Sequence, residues 1–402
     1  MEQHRSYIVR QSLKHAVLAA AVLMLLATQC QAADRIKLGF MVGKTGAAGI
    51  VGEEQQHGLD LALKRLDNKI GGLPVTLYAE DDKGDPNVAV QLASKFVDDD
   101  KIDILTGLTG SNVAIPVEPT LLEAGIWIVG SLAGPQEFAG KDCHENAFHI
   151  TLENEDWDDA LAMYLDKQNV KSVYFMGADY QAGWEKIGGA MRYYKGKSFG
   201  PVYTPWQRQV DLAAELTQLR AADPEAVFVF YPGGSGISFV KQFQQAGLHG
   251  KTKLYSEQSL ALEVNFAAEG DAALGILMTT NWSYELDNPG NKAFVADFTK
   301  AYGRRPTFFA AMQYDAINLI DSAVRAVHGK IEDKNAFRAA LRKADFQSVR
   351  GPFKFDNNQY PIQNIYLTEV VKDADGALRL ALRGTAVEAW RNPYHDQCPL
   401  KW

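Results

Sequence analysis

Strand-like and helix-like hydrophobic patterns alternate along most of this chain. Ile36–Val42 is a mostly apolar run of strand length, followed by a glycine-rich loop, Gly43–Gly52. Beyond it Leu59, Ala62, Leu63, Leu66 and Ile70 recur at helical spacing on one stripe, and Val75–Glu80 reads as a second strand. That order predicts a right-handed βαβ unit on a parallel sheet. Ligands of such sheets lie outside the carboxyl ends of the strands, where loops and helix N-termini present free N–H groups.

The alternation continues with a helix over Asn87–Asp99, a strand over Ile102–Thr106, a helix from the Gly107–Asn112 loop to near Gly125, and a strand over Ile126–Gly130. After the loop Ser131–Gly140 and the segment Phe148–Ile150 the rhythm restarts. Helices are predicted over Glu155–Gln168, Gly183–Tyr194, Leu212–Ala221 and Gly236–Ala246, between strands Ser172–Gly177, Val202–Thr204, Ala226–Tyr231, Lys253–Ser256 and Ile276–Thr280. Three helices then follow in succession, Asn291–Tyr302, Phe308–Gly329 and Asn335–Ala344. Strands Gly351–Phe355, Tyr366–Val371 and Ala377–Arg383 come last, the final two around an Asp375-Gly376 turn. Two successive halves, with late helices returning to one of them, predict the fold class: α/β, two doubly wound lobes with parallel-type sheets, joined by several crossings that can hinge.

Residues 1–33 read as a secretory signal. Arg5, Arg10 and Lys14 make a basic start, Ala16–Ala27 is an apolar core, and Cys30-Gln31-Ala32 or Gln31-Ala32-Ala33 offers small residues for cleavage. The apolar run is short for a bilayer span of ~20 residues. The alternatives are an uncleaved anchor, or lipidation at Cys30, where Gln29 is a poor fit to the small residue expected before it. Cleavage removes one acid (Glu2) and those three bases, taking the formal charge from −8 to −10. An acidic chain with no basic block argues against nucleic acid or an anionic lipid surface as partner. Two cysteines remain, Cys143 and Cys398. An even pair in an oxidising compartment predicts a disulfide, the alternative being two separate buried thiols. The remaining length exceeds what one core usually fills, which predicts two domains.

The familiar catalytic and cofactor motifs fail on spacing. Gly43-Lys44-Thr45 lacks the glycine a phosphate-binding loop needs five residues earlier, where Leu38 stands, and Gly43, Gly46 and Gly49 are spaced unlike a dinucleotide fingerprint. His144, His149 and His395 show no metal-ligand spacing, and Asp81-Asp82 with Asp85 reads as a solvated turn closed by Pro86 rather than a calcium loop. No nucleophile is paired with a base. The sequence therefore predicts no enzyme activity, no metal and no cofactor.

What remains is a set of loops at strand ends. Thr109-Gly110-Ser111-Asn112 opens a helix, so its N–H groups and hydroxyls suit a carboxylate, although alone it is an ordinary N-cap. Ser131-Leu132-Ala133-Gly134 occupies the next strand end. In the second half Ala178-Asp179-Tyr180-Gln181-Ala182-Gly183, Tyr231-Pro232-Gly233-Gly234 and Ser256-Glu257-Gln258 stand in the same relation to their strands. Five such loops aimed at one cleft are more specific than any one of them.

At these residues the chain resembles the type I periplasmic binding proteins, in particular the leucine/isoleucine/valine-binding family of ABC-importer receptors. The resemblance spans residues 34–402 and is carried by IKLGFMVGKTGAAGIVGEEQQHGLDLAL, the Asp81-Asp82…Asp85-Pro86 turn, GLTGSNVAIPVEP, Asp179-Tyr180-Gln181-Ala182-Gly183, VFVFYPGG, QFQQAGL and RGPFKFDNNQ. It implies a three-crossing hinge near Ile150, Asn281 and Asp356. One lobe would hold residues 34–150 and 282–356, the other 151–281 and 357–402. It further implies that Thr109, Gly110 and Ser111, with Ser131, Leu132 and Ala133, hold a ligand carboxylate. Tyr180 and Glu257 would approach from the other lobe, Glu257 where amino-acid binders meet an ammonium group, and Val51 and Phe309 would line the side-chain end. Gly110 and Ala133 depart from the serine and threonine usual at those positions, which weakens the amino-acid reading; Ser111 and Ser131 are the substitutes.

Cys143 after GPQEFAGKD, with a terminal YHDQCP, is similar to a subgroup whose receptors take aromatic carboxylates, which suits Tyr180, Tyr231 and Phe309. The resemblance thus implies a monomeric periplasmic receptor. It would pass a small carboxylate, an aromatic acid first and an apolar amino acid second, to an inner-membrane ABC permease with its ATPases. A periplasmic ligand sensor of the same fold is the rival reading.

Overall fold

The computed structural model describes residues 34–206 and 210–402. The expected export signal, residues 1–33 with Cys30, lies outside the described residues.

The first lobe begins with β1 (Ile36–Val42), α1 (Gly49–Arg65), β2 (Lys69–Ile70), β3 (Leu73–Asp81) and α2 (Pro86–Lys95). It continues through β4 (Ile104–Gly107), α3 (Ser111–Glu123), β5 (Trp127–Gly130), a single turn α4 (Gln136–Ala139) and β6 (Ala147–His149). Its six strands are ordered β2-β3-β1-β4-β5-β6, all parallel except β2. The order reverses between β1 and β4, which makes the crevice past their carboxyl ends the natural ligand position.

The second lobe contains α5 (Asp156–Lys167), β7 (Ser172–Ala178), α6 (Gln181–Tyr193), β8 (Lys197–Thr204), α7 (Ala213–Ala222), β9 (Ala226–Phe230), α8 (Gly234–Gln245), β10 (Lys253–Glu257), α9 (Phe266–Glu269) and β11 (Leu277–Thr280). After β11 the chain returns to the first lobe with α10 (Pro289–Tyr302), α11 (Phe308–Ala326) and α12 (Lys334–Lys343), then re-enters the second sheet with β12 (Lys354–Phe355), β13 (Pro361–Lys372) and β14 (Leu378–Trp390). That sheet runs β12-β13-β11-β10-β9-β7-β8 with β14 on β13, and reverses order between β7 and β9. Its β7–β11 strands are parallel, but β12, β13 and β14 pair antiparallel, so the sheet is mixed rather than uniformly parallel.

The late helices belong where their apolar faces are covered. Phe294, Phe298, Ile317 and Ile320 of α10 and α11 are fully buried against Leu59 and Ala62 of α1 and the β1 residues Leu38 and Phe40. Gly58 permits the close approach of α1 to α11, since a Cβ there would lie 2.2 Å from the carbonyl oxygen of Ala310. The Asp81–Asp85 turn is tied down internally: Asp81 accepts from Lys44 N–H at 2.8 Å, and Asp85 caps α2 through Asn87 N–H at 2.8 Å.

Several elements differ from their sequence patterns. The first helix begins at Gly49, inside the expected loop, and stops at Arg65. Ile70 leaves the helical stripe and forms the two-residue strand β2, which folds back on Leu73 through Gly71-Gly72, both at positive φ. Strand β8 starts at Lys197, and β13 and β14 are longer than their apolar cores indicate.

Three crossings join the lobes, and one guanidinium ties two of them to α11. Arg350 pairs with Asp315 at 3.2 Å, donates to Ile150 O at 2.7 Å and to Gln363 Oε1 at 2.8 Å. The tail after β14 departs from the expected division, which gave 357–402 to the second lobe. Tyr394 packs into the first-lobe core with Phe138 and Ala139, Cys398 is disulfide-bonded to Cys143, and Trp402 Nε1 donates to Asn357 O. The covalent tie fixes this return; the disulfide expected between Cys143, within residues 34–150, and Cys398 already pointed there, against the division drawn for the tail.

Candidate functional site

The two order reversals face each other, and the loops at both enclose a cavity between the lobes. From the first lobe come Val51, in the first turn of α1, Thr109 and Ser111 after β4, Leu132 and Ala133 after β5, and Phe308 and Phe309 at the start of α11. The second lobe contributes Tyr180, Ala182 and Lys186 from the β7–α6 segment, Trp206 after β8, Phe230 and Pro232 from the end of β9, and Glu257 and Ser259 from the end of β10. Asn154 and Trp157 enter from the first crossing. About 50 Å³ is open to the centres of water molecules, room for roughly three to five of them at ~10–15 Å³ each. That suits one ring or one amino acid and is too small for a sugar dimer.

The walls are aromatic. Tyr180 stacks on Trp206 at 4.1 Å with planes 12° apart, Phe230 lies 6.1 Å from Tyr180, and Phe308 and Phe309 are 4.0 Å apart. Burial, with Glu257 and Glu185 nearby, holds the Tyr180 phenol well above its usual range, so it remains a neutral hydrogen-bond donor.

Polar groups are few and mostly committed. Thr109 donates its hydroxyl to Gln55 Oε1 at 2.7 Å and accepts from Gly43 N–H. Ser131 is fully buried, accepts from Gln55 Nε2 at 2.8 Å and donates to Gly107 O at 3.1 Å. Ser111 differs: its Oγ accepts from Asn154 Nδ2 at 2.9 Å, and its own hydrogen has no acceptor among the described residues. It also opens the 13-residue helix α3, whose first-turn N–H groups lack intrahelical acceptors and carry the positive end of the helix dipole.

Facing these groups, Lys186 is buried, with Nζ 2.9 Å from Asn154 O, 3.2 Å from Asp158 Oδ2 and 4.2 Å from the Trp157 ring centroid. Burial pushes Asp158 up to about 8 against the pull of the Lys186 charge. Glu257 is held by both the N–H, at 3.1 Å, and the hydroxyl of Ser259.

The cavity brings together Val51, Thr109, Ser111, Leu132, Ala133, Tyr180, Glu257 and Phe309 among the residues singled out by sequence. Three others do not reach it. Ser131 is spent on Gln55 and Gly107. Gly110 serves as the extended N-cap of α3. Tyr231 turns into the second-lobe core, stacked on Phe239 at 5.0 Å with Thr204 donating to its hydroxyl. Side chains alternate faces along a strand, so its neighbour Phe230 takes the cavity instead. Sequence reasoning missed Asn154, Trp157, Lys186, Trp206, Phe230, Ser259 and Phe308. Lys186 left one readable sign, a lone charge on the stripe Ala182, Lys186, Ala190 of a predicted helix.

The lobes touch across the cavity. Gln136 N–H of α4 donates to Glu185 Oε1 of α6 at 3.4 Å, and a Cβ on Gly233 would lie 2.6 Å from Ala47 O. The arrangement can enclose a flat apolar body and offer hydroxyl and helix-terminus donors to an anionic end. Among the described residues it brings together no nucleophile–base pair.

Residues 35–377 match the family described as periplasmic binding protein. A solute-binding protein of an ABC transporter from R. palustris, in complex with benzoate, is 29% identical; the match covers 91% of this chain and all of that one, with TM-score 0.86. A second, from Rhodopseudomonas palustris BisB5 in complex with 3,4-dihydroxybenzoic acid, is 25% identical over 90% of this chain and 99% of that one, with TM-score 0.82. The chain is also 26% identical over 376 residues to Leu/Ile/Val-binding protein homolog 6 of Brucella melitensis, covering 90% of this chain and 95% of the relative.

Proposed function

The chain belongs to the periplasmic binding protein family, and from that premise we propose that it is the periplasmic receptor of an ABC importer for a small aromatic carboxylate. The observation that carries this reading is the single-ring cavity, walled by aromatic side chains on the second lobe and headed by Ser111 and the N-terminus of α3 on the first. The protein binds and delivers; it does no chemistry. Residues 34–150 with 282–356 rotate against 151–281 with 357–390, and the closed shape docks on the inner-membrane permease.

Magnitudes say which contacts matter. Burying one aromatic ring contributes about 2–4 kcal/mol, whereas micromolar binding needs about 8 kcal/mol. Hydrogen bonds to the carboxylate must therefore supply much of the difference. Ser111→Ala removes a donor to a charged group, worth about 1.5–3 kcal/mol, and is expected to weaken an aromatic acid roughly 10- to 100-fold. Tyr180→Ala is expected to weaken it to a similar degree by opening the stack on Trp206. Both variants keep wild-type cooperative melting. Calorimetric titration with benzoate checks this, and unchanged affinities discard the site assignment.

A second reading, an apolar amino acid as ligand, is favoured by one observation: Glu257 presents a buried carboxylate in the same wall, where an ammonium group would meet it. Glu257→Gln separates the two. It is expected to leave benzoate binding within about threefold, or to tighten it by removing a negative charge. If leucine is the ligand, the same change costs 10-fold or more.

A further inference from the structure

Of the three hydroxyls at the carboxylate end, Thr109 and Ser131 have given their hydrogens to protein acceptors, and among the described residues Ser111 alone retains one for a ligand. The reason lies behind it. Asn154 Nδ2 spends one hydrogen on Ser111 Oγ at 2.9 Å and the other on Glu185 Oε2 at 2.6 Å. A carboxylate only accepts, so Glu185 fixes which end of the Asn154 amide faces it, and the same amide nitrogen then makes Ser111 an acceptor on its protein side. With its protein-side contact satisfied as acceptor, the Ser111 hydrogen is left to point into the cavity. All three neighbours of Glu185 are donors: Asn154, Gln181 Nε2 at 2.6 Å and, across the lobe boundary, Gln136 N–H at 3.4 Å. Glu185 itself does not line the cavity.

We propose that Glu185 is a positioning residue for ligand recognition: through Asn154 it turns the Ser111 hydroxyl into a dedicated donor, and its contact with Gln136 N–H assembles that donor as the lobes close. This rests on the reading of the protein as a receptor for a carboxylate. Without Glu185 the Asn154 amide is free to turn its oxygen toward Ser111 and take the hydroxyl hydrogen. Ser111 then presents lone pairs, which repel a carboxylate but receive the N–H of a carboxamide equally well.

The test compares benzoate with benzamide, titrated by calorimetry at pH 8, above the value of about 7 to which burial raises Glu185. Wild type is expected to favour benzoate at least 30-fold. Glu185→Ala should lose about 10- to 30-fold for benzoate and less than threefold for benzamide. Adding Ser111→Ala to it should then cost benzoate less than threefold more. Glu185→Met, similar in length and with no oxygen to accept from Asn154, gives the same collapse of selectivity if the alanine variant fails to fold. Equal losses for both ligands, or none, would overturn the positioning role while leaving the receptor reading in place. Wild type that binds no benzoate removes both.

Discussion

Gly233→Ala is expected to abolish ligand-driven closure, with benzoate affinity falling at least 100-fold. Gly233 caps α8 at φ 66°, ψ −133°, a conformation nearly restricted to glycine. Strain from a side chain there costs about 1–3 kcal/mol and is felt by the second lobe whether open or closed. The larger effect is specific to closure. The new Cβ would sit 2.6 Å from the Ala47 carbonyl of the first lobe, a backbone atom that can move only with its lobe. A 100-fold loss corresponds to about 2.8 kcal/mol of destabilised closed form. Thermal melting tests this with and without benzoate: the variant should melt a few degrees lower alone and gain almost nothing from ligand. Wild-type stabilisation by ligand would mean that the lobes meet elsewhere.

The second large effect is on stability. Cys143 and Cys398 are 255 residues apart, and closing a loop of that length stabilises by up to about 5 kcal/mol in the chain-entropy account. Cys143→Ser with Cys398→Ser should lower Tm by roughly 5 °C for a protein of this size, since the unfolding entropy is correspondingly large. Reductant should bring wild type to the same Tm and leave the double variant unmoved. A wild-type Tm indifferent to reductant would show that the bridge does not constrain the unfolded chain.

The general position of the candidate site was legible because the succession of strands and helices, and the loops at strand ends, follow from periodicity. The loops after β4, β5, β7, β9 and β10 were picked out by their residue types, and all of them contribute to the cavity wall. Which side chain of a loop enters was harder, because it depends on parity that a boundary error of one residue reverses. Tyr231 and Phe230 traded places for that reason. Ser131 was chosen for its hydroxyl, yet nothing local shows that Gln55, 76 residues earlier, would occupy it. The helix over Glu155–Gln168 was predicted from its apolar pattern, which gave no sign that its acidic residues Asp156, Asp158 and Asp159 are fully buried. Partners for Asp156 and Asp158 come from distant segments, Trp390 and Asn392 for the first and Lys186 for the second. Long-range pairing of this kind leaves no periodic trace. Ile70 fell to a nearer signal, the Gly71-Gly72 turn, which outweighed an apolar residue at helical spacing.

Arg350 holds Ile150, Asp315 and Gln363 at one point; Ile150 and Gln363 lie beside two of the passes of the backbone between the halves, and Asp315 belongs to α11 of the first lobe. A shared pin of that kind favours swivelling over sliding. Small angular changes at the pin are then magnified with distance along each half, so the outer rims travel farthest. On the proposed receptor reading, a membrane partner that grips both rims would read occupancy as a change of span, without touching the captured molecule.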